Sequence, residues 1–149
     1  QKPKTIYYNI AIKSKQDGDG KLHPPVEEFV DYVMKVLPAT GLASRVLIPS
    51  FDPRALQVMH KKYPAVTTSL LIEAYDKRSL DEQLQQLGFT PNVYSPNSAL
   101  VTPSLLQQCH NKNIRVIPWT VNDLTEMKRL KQMGADGIIS DYPNLFKQL

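Results

Sequence analysis

Six apolar segments recur along this chain, separated by stretches with helical spacing of their apolar residues. They are Thr5–Lys13, Arg45–Ser50, Thr67–Glu73, Asn92–Tyr94, Arg115–Val121 and Gly137–Ser140. Most are apolar on both faces, which suits parallel strands covered by helices rather than a sheet with one wet face. Repeating βα units of about 25 residues predict a parallel α/β fold. Phe29, Val30, Val33, Met34 and Leu37 form one helical stripe, and Leu80, Leu84 and Leu87 another.

The punctuation between segments agrees. Asp52-Pro53, Thr102-Pro103, Tyr142-Pro143 and Pro24-Pro25 place Pro where a helix begins, because the first turn's N–H groups have no internal partners. Ser79 to Glu82 and Asp123 to Glu126 have capping-box spacing. Gly88 and Gly134 follow helical stripes, where a left-handed residue is wanted. The 149 residues predict one domain, 1–149, with a substantial core. Six units are too few for a closed (β/α)8 barrel, which uses about 250 residues. They build either an open sheet or part of a barrel. In the second case the first and last strands are apolar edges that invite further strands or a second copy of the chain.

Composition narrows the function classes. The chain is 42% apolar and 21% charged, ordinary for a globular protein, and no apolar run approaches the roughly 18 residues of a membrane span. Lys and Arg exceed Asp and Glu by only 18 to 14. Apart from Lys61-Lys62 and Lys77-Arg78 the surplus is scattered and has no interleaved aromatics, which argues against nucleic acid as a partner. Cys109 is alone, so no disulfide within the chain is possible, and a buried structural thiol is expected. No secretory signal is visible and the first residue is Gln1 rather than Met, which leaves cytoplasmic, periplasmic and secreted locations open.

Chemistry concentrates where strands end. In Tyr8-Asn9-Ile10-Ala11-Ile12-Lys13, the alternation of a strand puts Asn9, Ala11 and Lys13 on one side. Val116-Ile117-Pro118-Trp119-Thr120-Val121-Asn122 also runs from an apolar strand into polar groups. With Ser50-Phe51-Asp52 and Gly137-Ile138-Ile139-Ser140-Asp141-Tyr142-Pro143, these stretches resemble the C-terminal two-thirds of a glycerophosphodiester phosphodiesterase barrel, from Ile6 to Phe146.

The resemblance implies a TIM-type (β/α) barrel, incomplete here. Its reaction is hydrolysis of glycerophosphodiesters to glycerol phosphate and an alcohol in lipid metabolism. Mg²⁺ or Ca²⁺ is held by carboxylates, and two histidines move the protons. The family strand Asn-Ile-Glu-Ile-Lys matches Asn9 to Lys13, with Ala11 in place of the metal-binding Glu. Ala has no oxygen to offer a hard cation, so no metal ligand is expected here. Lys13 takes the catalytic role, as a fixed positive charge facing the phosphate. Trp119 lies against the glycerol or headgroup, and Ser50 and Glu73 join it as substrate-side residues. Lys13, Ser50, Glu73, Trp119 and Asp141 are expected near one rim.

Other residues depart from the family pattern or read as structural. Pro49 removes a backbone donor from what should be a central strand, where Pro is rarely accommodated. Ser50 lacks a base partner and is expected to bond backbone near its turn. Asn122 is expected to cap the following helix. His23, His60 and His110 are expected to be structural or solvated, and Asp17-Gly18-Asp19-Gly20 to be a flexible turn rather than a calcium loop. The family's His-Arg-Gly, Glu-x-Asp and His-Asp motifs do not precede Asn9 in this chain. The chain alone is therefore expected to be inactive. The alternative is a non-catalytic α/β module or assembly protein that reuses the scaffold.

Overall fold

The computed structural model describes residues 6–149. Five strands, β1 (Tyr8–Asn9), β2 (Val46–Ser50), β3 (Thr67–Ile72), β4 (Val93–Pro96) and β5 (Arg115–Val116), lie in one parallel sheet in sequence order. The helices are α1 (Val26–Ala39), α2 (Pro53–Lys62), α3 (Leu80–Leu87), α4 (Pro103–Asn111) and α5 (Leu124–Met133). The chain groups into two compact units, 1–69 and 70–149.

In the first unit, β1 pairs with β2 in the register Tyr8↔Val46 and Asn9↔Leu47. Ile12, Val46 and Ile48 meet Val30, Met34 and Leu37 of α1 and Ala55 and Met59 of α2 in one buried cluster, with Phe29 and Val33 packed against it. The expected stripe of α1 is thus its inward face. The expected first strand is longer than β1, and its first residue, Thr5, lies outside the described residues. The N–H groups of Ile10 and Ile12 still donate to the carbonyls of Leu47 and Pro49, each at 3.0 Å, so the pairing continues past Asn9. This register sets Ala11 beside Pro49. Both N–H and C=O of a parallel-strand residue face the same neighbour. The donor that Pro49 lacks is therefore on the β1 side, where Ile10 has the carbonyl it would have met. Pro49 is accommodated because its loss falls on a short outer strand, and it shortens that strand.

In the second unit, α3 has the full capping box between Ser79 and Glu82, and ends at left-handed Gly88 with φ 80°. Thr102 caps α4 and Asp123 caps α5, each through its side-chain oxygen, and Gly134 closes α5 with φ 97°. The box expected at Asp123 is only half made, because the Glu126 carboxylate pairs with Arg129 at 2.6 and 2.7 Å. Leu80 and Leu87 are buried, as is Gln83 of α3, whose Oε1 accepts the Tyr94 hydroxyl at 2.6 Å. Cys109 is fully buried, and burial, helped by Asp136, pushes its thiol up to about 12, so it stays a neutral core group.

The sixth expected strand, Gly137–Ser140, is not a strand. Its neighbour supplies almost none of the donors a parallel ladder needs. The Val116 N–H goes to the Asp136 carboxylate at 2.7 Å, Pro118 has no N–H, and Val121 rather than Thr120 donates to Ile139. The carbonyls of Val116 and Pro118 do accept, from Asp136 and Ile139 at 2.9 Å each. The segment is held, but with an offset that regular pairing does not allow.

Candidate functional site

Along residues 9–14 exposure alternates: Asn9, Ala11 and Lys13 face outward, while Ile12 and Ser14 are buried and Ile10 is half-buried. The three residues matched to the family strand thus share one face, as strand geometry requires. Lys13 makes no ion pair with any described residue, so its ammonium is available to an anion. Ala11 presents only a methyl group on this face, with no oxygen to offer a cation. Among the described residues no group of three or more His, Cys, Asp or Glu is arranged to hold a metal.

Ser50, the last residue of β2, is fully buried. Its hydroxyl donates to the Ile12 carbonyl at 2.7 Å and accepts from the Asp52 N–H at 3.1 Å. The fold therefore brings Ser50 to the residue before Lys13; the bond from Asp52 is the local one its sequence context suggested, and the bond to Ile12 is not.

A polar cluster beside these residues was not foreseen. Asp52 caps α2 through the Arg54 N–H at 3.0 Å, accepts the Ser14 hydroxyl at 2.8 Å, and pairs with the Arg54 guanidinium at 2.7 Å. Arg54 also grips Asp19 with both terminal nitrogens, at 2.7 and 3.2 Å. The Arg54 guanidinium beside Asp19 holds that carboxyl below its ordinary value, and the two carboxylates raise the Arg54 value. The flexible turn expected at Asp17–Gly20 is thus tied at Asp19. His23 ties it again: Nε2 accepts from the Lys15 N–H at 2.9 Å, Nδ1 lies 2.8 Å from the Pro24 carbonyl, and the ring stacks on Phe29. Only the neutral ring protonated on Nδ1 satisfies both bonds. Gly18 is required by this packing, since a Cβ there would lie 2.7 Å from Nε2. The inward period of Ile10, Ile12 and Ser14 was a usable signal for Ser14. The meeting of Asp19 with Arg54 had none.

In the second unit Glu73 follows β3 directly, half-buried, and its carbonyl accepts from the Asp76 N–H at 3.1 Å to turn the chain. The turn opens on a cleft lined by Tyr75, Asp76, Lys77, Arg78 and Glu82, in which the Arg78 guanidinium holds the Asp76 carboxyl at about 2. Trp119 is half-buried, and its Nε1–H donates to the Ser95 carbonyl at 2.9 Å. Its backbone pairs on either side of Asn97, accepting from the Ser98 N–H and donating to Pro96.

Asn122 does not cap α5. Asp123 does, and Asn122 instead clasps the turn after Ile139. Its Nδ2 donates to Asp141 at 2.8 Å, and its Oδ1 accepts from the Asp141 N–H at 3.0 Å and the Ser140 hydroxyl at 3.2 Å. Asp141 is exposed and held in this clasp. His60 is exposed on α2, and His110 Nε2 lies 2.8 Å from Asp136.

Comparison with known proteins places the chain in one family. The model of the glycerophosphoryl diester phosphodiesterase family matches residues 3–145. A glycerophosphodiester phosphodiesterase of Caldanaerobacter subterraneus is 28% identical over 140 residues, covering 94% of this chain and 54% of its own length. The chain spans about half the length of the curated relatives it matches. The crystal structure of a putative glycerophosphoryl diester phosphodiesterase from Silicibacter pomeroyi superposes with a TM-score of 0.80 at 27% identity, over 95% of this chain and 49% of the other. An Oleispira antarctica phosphodiesterase, solved in complex with the product sn-glycerol-3-phosphate, shares the fold with a TM-score of 0.74 at 20% identity, over 94% and 53%. The βα units are those of an incomplete TIM-type barrel. Among the described residues no helix is long and apolar enough to cross a membrane.

Proposed function

From the premise that this chain belongs to the glycerophosphoryl diester phosphodiesterase family, we propose that it forms the C-terminal part of a barrel that hydrolyses glycerophosphodiesters in lipid metabolism, with Lys13 as its phosphate contact. The observation that carries the reading is the outward face of Asn9, Ala11 and Lys13, in the order of the family strand. A lysine ammonium there opposes the charge that develops on phosphate oxygens as the ester bond breaks. Trp119 lies on the side of the glycerol or headgroup, its N–H held by the Ser95 carbonyl. Glu73 stands at the substrate side. Ser50 contributes by holding the strand end, its hydroxyl being engaged with Ile12 and Asp52.

The residues present do not fit the family's divalent cation. Ala11 occupies the ligand position, and hard cations require oxygen donors. Without that ligand and without a proton-transferring histidine on this face, the chain alone has no hydrolytic activity. The rest of the barrel comes from further strands or from a second copy. Ile6 and Tyr7, 62% and 70% exposed beside β1, are the apolar surface such a partner would cover.

The test is an assay of the chain with a glycerophosphodiester and Mg²⁺ or Ca²⁺, alongside a titration with sn-glycerol-3-phosphate. No turnover is expected, with binding that Lys13→Gln abolishes. Turnover by the chain alone, or binding indifferent to Lys13→Gln, overturns the reading. The second outcome would favour a non-catalytic module.

A further inference from the structure

Lys13 makes no ion pair with any described residue, yet the residues on either side of it are tied. The Ile12 N–H donates to Pro49 and the Ile12 carbonyl accepts from Ser50. Ser14, 8% exposed, donates to the equally buried Asp52 at 2.8 Å. The Lys15 N–H donates to His23. Apart from the His23 bond, these restraints come from residues 49–52, and Asp52 is itself held by Arg54. Both Asp52 oxygens are engaged: Oδ1 by the Arg54 N–H and Nε, Oδ2 by Ser14 and Arg54 Nη2.

We propose that Asp52 and Arg54 are positioning residues that lock the strand end bearing Lys13, so that its ammonium meets phosphate in one fixed geometry. The inference rests on Lys13 as the phosphate contact. Its physical basis is the shape of the guanidinium. One planar fork joins Asp52 and Asp19 at once, and so couples the extended segment that follows β1, at Ser14, with the start of α2 and the 15–23 loop. Stability alone is a poor reason for such a group, because Arg54 and Asp19 are partly exposed, 30% and 27%, and solvent-exposed ion pairs contribute little. Fixed geometry is what the charged network adds, and a binding group displaced by a fraction of an ångström loses much of its effect.

Arg54→Lys keeps the charge but cannot bridge two carboxylates, and Ser14→Ala removes only the last bond to the strand. Both are compared with Leu130→Ala, which opens a cavity in the other unit. The measurements are affinity for sn-glycerol-3-phosphate and backbone amide order parameters, made at low temperature where each variant is folded. Arg54→Lys and Ser14→Ala are expected to lower affinity about five- to tenfold and to lower order at residues 13–15. Leu130→Ala should change neither. Unchanged affinity and order in both brace variants, while Lys13→Gln still abolishes binding, overturns the proposal and leaves the phosphate reading standing. So does an equal affinity loss in Leu130→Ala, since the effect would then be general destabilisation. If Lys13→Gln has no effect on binding, the phosphate reading fails, and lowered order at 13–15 in Arg54→Lys still supports the lock.

Discussion

Pro49 and Pro118 each remove one backbone donor from a parallel ladder, but the chain repairs the two gaps with different materials. Beside Pro49 the repair is buried: Ser50 reaches Ile12, and Ser14 is tied through Asp52 to Arg54. Beyond Pro118 it is exposed: Asn122 clasps Ser140 and Asp141 at the surface. A buried polar group that loses its partner has no water to replace it, whereas an exposed one does. The first region should therefore be brittle and geometrically fixed, and the second forgiving.

Asp52→Ala is the severest test of this contrast. It removes a helix cap, leaves Arg54 with one partner and strands the Ser14 hydroxyl, for an expected loss of about 3 kcal/mol in denaturant unfolding. Asn122→Ala should cost less than about 1 kcal/mol, because water can serve the groups it releases. Equal losses in the two variants would break the comparison.

Pro118→Val tests the account of the irregular last segment. It restores a donor facing residues 136–139, and the new amide is expected to be protected from hydrogen exchange. Stability should move by no more than about 1 kcal/mol, as one added hydrogen bond offsets the lost rigidity of proline. A freely exchanging amide at 118 would show that Pro118 is not what limits the ladder.

The smallest effect is expected in acid. The Asp19 carboxyl is held below its ordinary value of 3.8 by its hydrogen bonds to Arg54. A depressed carboxyl contributes stability above its unfolded value and loses it as pH falls through the folded one. The Asp19 side-chain carboxyl resonance should therefore titrate only below 3.8, without global unfolding at the onset. A carboxyl resonance that titrates at or above 3.8 would show that Asp19 is not engaged by Arg54.

Much of the second unit was legible because its signals are local. The Ser79–Glu82 box, the Thr102 cap and the glycines at 88 and 134 act within a turn of where they stand. Asn122 was misread for the same reason. It sits beside a helix start and has the chemistry of a cap, but Asp123 takes that role and Asn122 finds a partner nineteen residues away. The residues proposed for the substrate side were drawn only from a series of strand ends. That Ser50 and Trp119 already spend their donors on Ile12 and Ser95 could not be read from their neighbours in sequence.

By itself the sequence determined the order of the first five strands and the helices between them, where most helices start and stop, and the shared face of Asn9, Ala11 and Lys13. Each follows from backbone period or capping chemistry acting over a few residues. Only the tertiary structure decided which neighbour each strand proline deprives of a bond, and that Arg54 joins Asp52 to Asp19 across thirty-five residues of sequence. Those outcomes depend on register and on the direction in which each N–H or guanidinium points once the strands are paired. A one-residue slip would reverse them without changing any local preference.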